Sequence, residues 1–153
     1  MTAEPRPRAD RRRDTEHRLT NDIDLWVASA SADGKPYLAP LSFDWDGAAV
    51  LVATLTNSPT GKNLARSGVA RLALGPTRDV TMIEADVEVI EIDQLPQEQG
   101  DRFAACSGFD PRGLTSSYRW FRLTPRRIQA WREVDELPER ELMRRRSLAR
   151  LTG

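Results

Sequence analysis

Histidine, cysteine and lysine are nearly absent: one histidine, one cysteine and two lysines stand in 153 residues. The single cysteine, Cys106, excludes an intrachain disulfide and any multi-cysteine zinc site. No local base is at hand to activate it, so it reads as a buried or incidental thiol. His17 lies in a polar stretch and reads as solvated. Without a second histidine or a neighbouring cysteine, no transition-metal site assembles. G-x-S-x-G is missing, no serine–histidine–aspartate set stands out, and the Walker pattern G-x-x-x-x-G-K-[ST] is missing too. Neither sign of charge is in excess, with 23 basic and 23 acidic side chains. The chain as a whole therefore has no electrostatic reason to seek nucleic acid or an anionic membrane. No apolar run approaches the ~20 residues of a membrane span, and the first residues lack the apolar stretch of a secretory signal. A cytoplasmic protein is expected.

What is present is a 39% hydrophobic chain, enough for one domain with a real core. Its positive charge is almost all arginine, 21 against two lysines, which reflects coding bias more readily than function. Residues 1–14 are rich in proline and arginine without apolar periodicity, and a disordered basic tail is expected there. The cluster Arg11–Arg13 is too small to make a nucleic-acid surface. Residues 15–153 then form a single domain, with Thr15–Asp22 a short helix capped at Asp14 or Thr15. Strand signals follow at close intervals: Leu25–Ser31, Tyr37–Phe43 and Ala48–Thr54, joined by turns at Asp33-Gly34 and Asp46-Gly47. Val69–Leu74 and a long Val80–Ile92 come next, the latter with Ile83, Ala85, Val87 and Val89 on one face. Glu84, Asp86 and Glu88 face the other way, as a solvated surface. Gln94–Cys106 reads as a helix and Ser107–Ser117 as a loop. Tyr118–Leu123 and Arg127–Val134 are two last strands across Thr124-Pro125, and Glu136–Leu151 is an amphipathic helix carrying Leu137, Leu142, Leu148 and Leu151. Tyr118, Trp120 and Phe121 are either a wall for a planar ring or ordinary core and interface aromatics. Seven short strands with hairpin turns and a few helices imply an antiparallel barrel or sandwich.

The most pointed local feature is Thr54-Leu55-Thr56-Asn57-Ser58-Pro59-Thr60-Gly61-Lys62-Asn63-Leu64, directly after an apolar strand. Ser58 suits an N-cap and Pro59 the first helical position, with Gly68 as the left-handed residue that ends the helix. The N–H groups of Thr60 and Gly61 are then expected to stay unpaired at the positive end of the helix dipole. Gly61 lets an anion approach the backbone, and Lys62, one of the two lysines, adds a full charge. The turn suits a phosphate. Hydroxyl-rich turns of this kind also occur as plain structure, and the local sequence leaves both open.

Taken in order, Leu25-Trp26-Val27-Ala28-Ser29-Ala30, Asp33 to Leu41, Trp45-Asp46-Gly47, Ser58 to Leu64 and Arg126 to Trp131 resemble the pyridoxamine 5′-phosphate oxidase-like split-barrel family. The resemblance runs from Leu19 to Trp131. It implies a mainly β, antiparallel split β-barrel with two or three short helices, forming a homodimer with FMN at the interface. In that family the second strand runs beside the isoalloxazine ring, which maps to Pro40, Leu41 and Ser42. Hydroxyls and a basic residue hold the phosphate, mapping to Thr54, Thr56, Ser58 and Lys62, beside the helix-start groups of Thr60 and Gly61. Trp131 matches a tryptophan that the partner chain lays near the cofactor.

The departures from the oxidase itself are substantial. Leu38 and Phe43 stand where it has an arginine and a lysine, and Asp79 where it has a glutamine. Its Arg-Leu-His-Asp-Arg segment after the tryptophan is replaced by Arg132-Glu133-Val134-Asp135-Glu136-Leu137. Without that grip on a phosphorylated substrate, oxidation of pyridoxamine phosphate is not expected. The resemblance implies an FMN-dependent oxidoreductase acting on a small organic substrate. The alternatives are the same fold with a deazaflavin coenzyme (coenzyme F420), or a non-catalytic flavin- or haem-binding protein. A bound flavin performs the redox chemistry itself, so a missing acid–base pair is no objection.

Overall fold

A computed structural model describes residues 4–145. Helix α1 (Arg8–Asn21) leads into strands β1 (Asp24–Ala30), β2 (Pro36–Ser42), β3 (Asp44–Trp45) and β4 (Val50–Leu55). Helix α2 (Pro59–Ser67), β5 (Val69–Leu74), β6 (Asp79–Glu91), α3 (Gln97–Ser107) and β7 (Tyr118–Arg132) follow. A 3₁₀ turn (Val134–Glu139) and β8 (Glu141–Arg144) complete the chain. All strand pairs are antiparallel, in the order β2-β1-β5-β6-β7-β4-β3, with β8 added to β7. Phe43 alone separates β2 from β3, yet these two lie at opposite ends of that order. The sheet must therefore curl until its ends meet, leaving an incompletely paired seam between β2 and β4. This is the antiparallel split barrel expected from the sequence.

Alternation along the strands fills the barrel. Leu25 and Val27 of β1, Val50 and Val52 of β4, Leu72 of β5, Ile83 of β6 and Phe121 and Leu123 of β7 form one buried cluster, closed by Phe43 and Leu64. A smaller cluster lies outside the barrel wall, where Leu51, Ala53 and Trp120 meet Phe103 of α3. Phe103 and Trp120 pack edge-to-face at 5.1 Å, and the Trp120 indole N–H donates to the Ile92 carbonyl. Trp120 and Phe121 are thus core residues on opposite faces of β7, not ring-stacking walls. β6 changes allegiance along its length: Ile83 and Ala85 point into the barrel, whereas Ile90 packs on the outer cluster and Val89 is exposed.

Three expectations need correction. Part of the expected tail is helical, for α1 begins at Arg8 rather than Thr15. Arg11, Thr15 and Leu19 repeat every fourth residue, so one helix face is buried. Leu19 joins the barrel core, while the Arg11 guanidinium donates to the carbonyls of Ala130 and Glu139. Tyr118 to Arg132 is one strand, because a bulge opposite Glu84 and Ala85 absorbs Pro125 and Arg126 without breaking the ladder. The expected C-terminal helix is a 3₁₀ turn plus β8, which pairs with β7; Leu148 and Leu151 lie outside the described residues.

Candidate functional site

The barrel seam opens into a groove of about 380 Å³ between β2 and β4. Pro40, Leu41 and Ser42 line one side and Ala53, Thr54 and Leu55 the other. Phe103, Phe109 and Tyr118 form an aromatic flank, with Phe109 and Tyr118 tilted against each other at 5.5 Å. Asp24 stands at the same groove and accepts a hydrogen bond from the Ser42 hydroxyl at 2.7 Å.

The backbone of β2 is suited to a ring with hydrogen-bonding edges. Phe43 N–H donates to Ile23 O, and the register is unbroken from Asp24↔Ser42 to Ala30↔Pro36. Odd-numbered residues of β2 therefore exchange hydrogen bonds with β1, and even-numbered ones turn their backbone groups away. Pro36 and Pro40 fall on the outward positions, where a missing N–H breaks no ladder bond. The Pro40 carbonyl and the Ser42 N–H and carbonyl have no strand partner on that side among the described residues.

At the end of β4 the chain turns into α2 as the sequence predicts. Ser58 is the N-cap, Pro59 the first helical residue and Gly68 the left-handed terminus at φ 70°. The Ser58 hydroxyl donates to Leu55 O at 2.8 Å, accepts from Gly61 N–H at 3.0 Å and lies 3.3 Å from the Thr54 hydroxyl. Two points in the expectation change. Gly61 N–H is not free, because the cap takes it. Nor is Gly61 a window for a ligand: it is buried, and a Cβ there would lie 2.1 Å from Leu55 O. What remains for an anion is the Thr60 N–H, the Thr60 hydroxyl and Lys62. Thr60 is 2% exposed, and its Oγ1 is buried with no hydrogen-bond partner among the described residues. Such an atom is costly unless something binds it. Lys62 is exposed and has no carboxylate within 4 Å among the described residues.

Trp131 is not part of this groove. It sits near the far end of β7, roughly 40 Å along the strand from Tyr118, given 13 intervening steps of ~3.3 Å. There it is half-buried beneath the Arg140 guanidinium, 5.9 Å from the ring centre. Thr56 stays beside the groove, its N–H held by Ser117 O at 3.0 Å. Of the expected residues, Pro40, Leu41, Ser42 and Thr54 line the groove; Thr56, Ser58, Thr60, Gly61 and Lys62 follow in the turn and the start of α2 without lining it, and within one chain Trp131 lies elsewhere. Sequence reasoning misses Asp24, Phe103 and Phe109; an aromatic such as Phe109 in a loop flanking a site is the kind of signal that marks it.

Cys106 is exposed, and its thiol donates to Asp44 Oδ1 at 3.4 Å, with Arg102 on the other carboxylate oxygen at 2.8 Å. Local burial and then the Asp44 carboxylate push the thiol upward from its ordinary value. It is not an activated nucleophile. Among the described residues no group of histidine, cysteine and carboxylate side chains could hold a metal.

The curled sheet, open seam and capped helix start agree with a sequence family described as pyridoxamine 5′-phosphate oxidase, whose model matches residues 19–132. The chain belongs to that family. No curated protein matches it in sequence. Among solved structures, an F420 reductase is 15% identical with a TM-score of 0.60, over 74% of this chain and 94% of that one. A Clostridium acetobutylicum protein related to general stress protein 26, of the pyridoxinephosphate oxidase family, is 12% identical with a TM-score of 0.64, over 84% and 92%. HutZ, the haem storage protein of Vibrio cholerae, is 15% identical with a TM-score of 0.57, over 78% and 93%. At these identities the shared property is the fold. The same barrel thus occurs in proteins named for different cofactors.

Proposed function

We propose that the protein binds FMN in the β2–β4 groove as a homodimer and acts as a flavin-dependent oxidoreductase on a small organic substrate. The observation that carries this reading is the hydroxyl of buried Thr60, without a partner among the described residues and set one residue before Gly61 and two before exposed Lys62. Together they offer a phosphate a donor, a backbone N–H and a cation at a helix start. The outward backbone of Pro40 and Ser42 fits the hydrogen-bonding edge of an isoalloxazine, and Phe109 with Tyr118 offers it an apolar flank. When bound, the flavin supplies hydride transfer. The chain's own residues hold its phosphate, orient its ring and cover it from water.

A haem reading is less well supported by these residues. His17 lies on α1, hydrogen-bonded to Asn21, and no imidazole lines the groove. The deazaflavin coenzyme fits the same backbone edge, and cofactor titration separates the two. Purified protein is titrated with FMN, riboflavin, the deazaflavin coenzyme and haem, following absorbance and fluorescence. FMN is expected to bind tightest. A charge-assisted bond typically contributes ~1.5–3 kcal/mol, so Lys62→Ala should weaken FMN about ten- to a hundredfold and leave riboflavin nearly unchanged. Equal losses for both, or no loss, would falsify the phosphate assignment.

A further inference from the structure

Residues 108–117, which join α3 to β7, form no helix or strand, yet they are fastened at both ends and in the middle. Gly108 ends α3 in the left-handed conformation at φ 74°, and Phe109 directly after it lines the β2–β4 groove. The Phe109 N–H donates to the Ser107 hydroxyl at 3.1 Å, and that hydroxyl lies 2.8 Å from the Phe103 carbonyl. At the other end the Ser117 carbonyl accepts from the Thr56 N–H at 3.0 Å, which ties the segment to the turn after β4.

Arg112 is the fastening in the middle. Its guanidinium donates to both carboxylate oxygens of Asp110, at 2.9 and 3.0 Å, to Asp101 of α3 at 2.9 Å and to the Gln97 carbonyl at 3.4 Å. A Cβ on Gly100 would lie 2.7 Å from its Nη1, so the guanidinium occupies the place a side chain would take on α3. Ordering a surface loop costs conformational entropy, and planar two-point pairing fixes geometry as well as contributing energy. What this fastening fixes is Phe109, whose ring is left 36% exposed, tilted against Tyr118 at 5.5 Å. The groove has little else to grip a ring by its faces. Asp24 is the one ionic side chain among its lining residues, and no lysine, arginine or histidine is among them.

We propose that Phe109 determines which ligands the groove accepts, as a ring face preformed to stack on a planar aromatic ring, and that Arg112 is the positioning residue that holds it there. This rests on the groove being the ring site proposed above, but not on the phosphate contact at α2. A ring held in place before the ligand arrives loses little freedom on binding, so the stacking gain is kept. Arg112 acts through the loop alone, because every bond its guanidinium makes goes to α3 or to the loop itself.

Lumiflavin, the flavin ring without ribityl chain or phosphate, is titrated into the full-length protein beside FMN, following fluorescence and absorbance. Saturable lumiflavin binding with a shifted visible band is expected. Phe109→Leu keeps an apolar side chain and removes the ring; it should weaken lumiflavin roughly three- to tenfold and lose the band shift, whereas Phe109→Tyr should keep both. Arg112→Gln should weaken lumiflavin about threefold, keep the band shift at saturation and speed hydrogen exchange at the Phe109 amide. Thermal melts establish that each variant keeps its fold, and Phe109→Leu decides alone if Arg112→Gln does not. Lumiflavin that fails to bind overturns the proposal even where FMN binds. Lumiflavin bound without FMN upholds the ring face and removes the phosphate assignment instead. Equal lumiflavin affinity in the parent and Phe109→Leu overturns the role of Phe109. Unchanged affinity and amide exchange in Arg112→Gln overturn that of Arg112.

Discussion

A Cβ built on Gly61 would lie 2.1 Å from the Leu55 carbonyl and 3.1 Å from the Ser58 hydroxyl, so any larger residue must displace backbone that caps α2. Gly61→Ala is therefore expected to destabilise the cofactor-free protein by ~2–4 kcal/mol in chemical denaturation. Lys62→Ala, at an exposed position, should change that stability by no more than about 0.5 kcal/mol. A small Gly61 effect would show that the turn relaxes easily and that the glycine serves a ligand after all. The sequence marks this residue as special but assigns it the wrong cause, because the carbonyl it must clear belongs to the preceding strand end. Thr60 shows the reverse. Its hydroxyl looks ordinary in the sequence, and only burial without a partner makes it informative.

At the scale of elements, the segments outside the family match fasten to each other. The Arg6 guanidinium and N–H and the Arg132 N–H converge on Glu136, which is 3% exposed, and Arg8 and Arg12 donate to the Leu142 carbonyl. Burial pushes the Glu136 carboxyl up, but the bonds from Arg6 and Arg132 outweigh it and hold the group down at about 2, against 4.5 ordinarily. Its carboxylate form is thus favoured by folding. The stabilisation is complete above about pH 4.5 and is lost as pH falls towards 2, a difference of roughly 3 kcal/mol. Glu136→Gln should lose about that much at pH 7 and differ little from the parent at pH 2, as read from urea midpoints. A parent and variant separated equally at both pH values would show that Glu136 acts through packing alone. None of this clamp is legible locally. Arginine-rich residues 6–13 look solvated until carbonyl and carboxylate acceptors more than a hundred residues away are placed beside them.

At the scale of the whole molecule, one face of the sheet is left apolar and open. Leu38 pairs across β1 with Ala28, and Pro40 with Trp26, which continues to Ala73 on β5. Leu38 is 59% and Trp26 48% exposed. A second copy covering this face would account for that exposure and could bring its Trp131 towards the groove, which one chain alone cannot do. Sedimentation is expected to show a dimer at micromolar concentration with an interface of roughly 2,000 Å² or more. Trp26→Asp should yield monomers with much weaker FMN binding. A monomeric parent would refute the dimer, and a monomeric variant with undiminished FMN affinity would place the whole site within one chain.

The sequence by itself determines the elements that close on near neighbours. The β4–α2 turn with its Ser58 cap, Pro59 start and Gly68 end, the β1–β2 hairpin and the alternation of β5 are all set by contacts a few residues apart, where residue type decides conformation. The barrel's membership in its family is legible for the same reason, through the order of such local pieces. Tertiary structure decides the rest. Pro125 is tolerated inside β7 because β7 bulges at Arg126 beside it while β6 keeps the ladder on either side, and Glu141–Arg144 is a strand because the edge of β7 is there to pair with. The N-terminal helix is held because distant carbonyls accept hydrogen bonds from its arginines, and the groove exists because the sheet curls until β2 and β4 face each other across a seam. Each of these depends on partners that sequence distance hides, and their free energy appears only once the chain has closed.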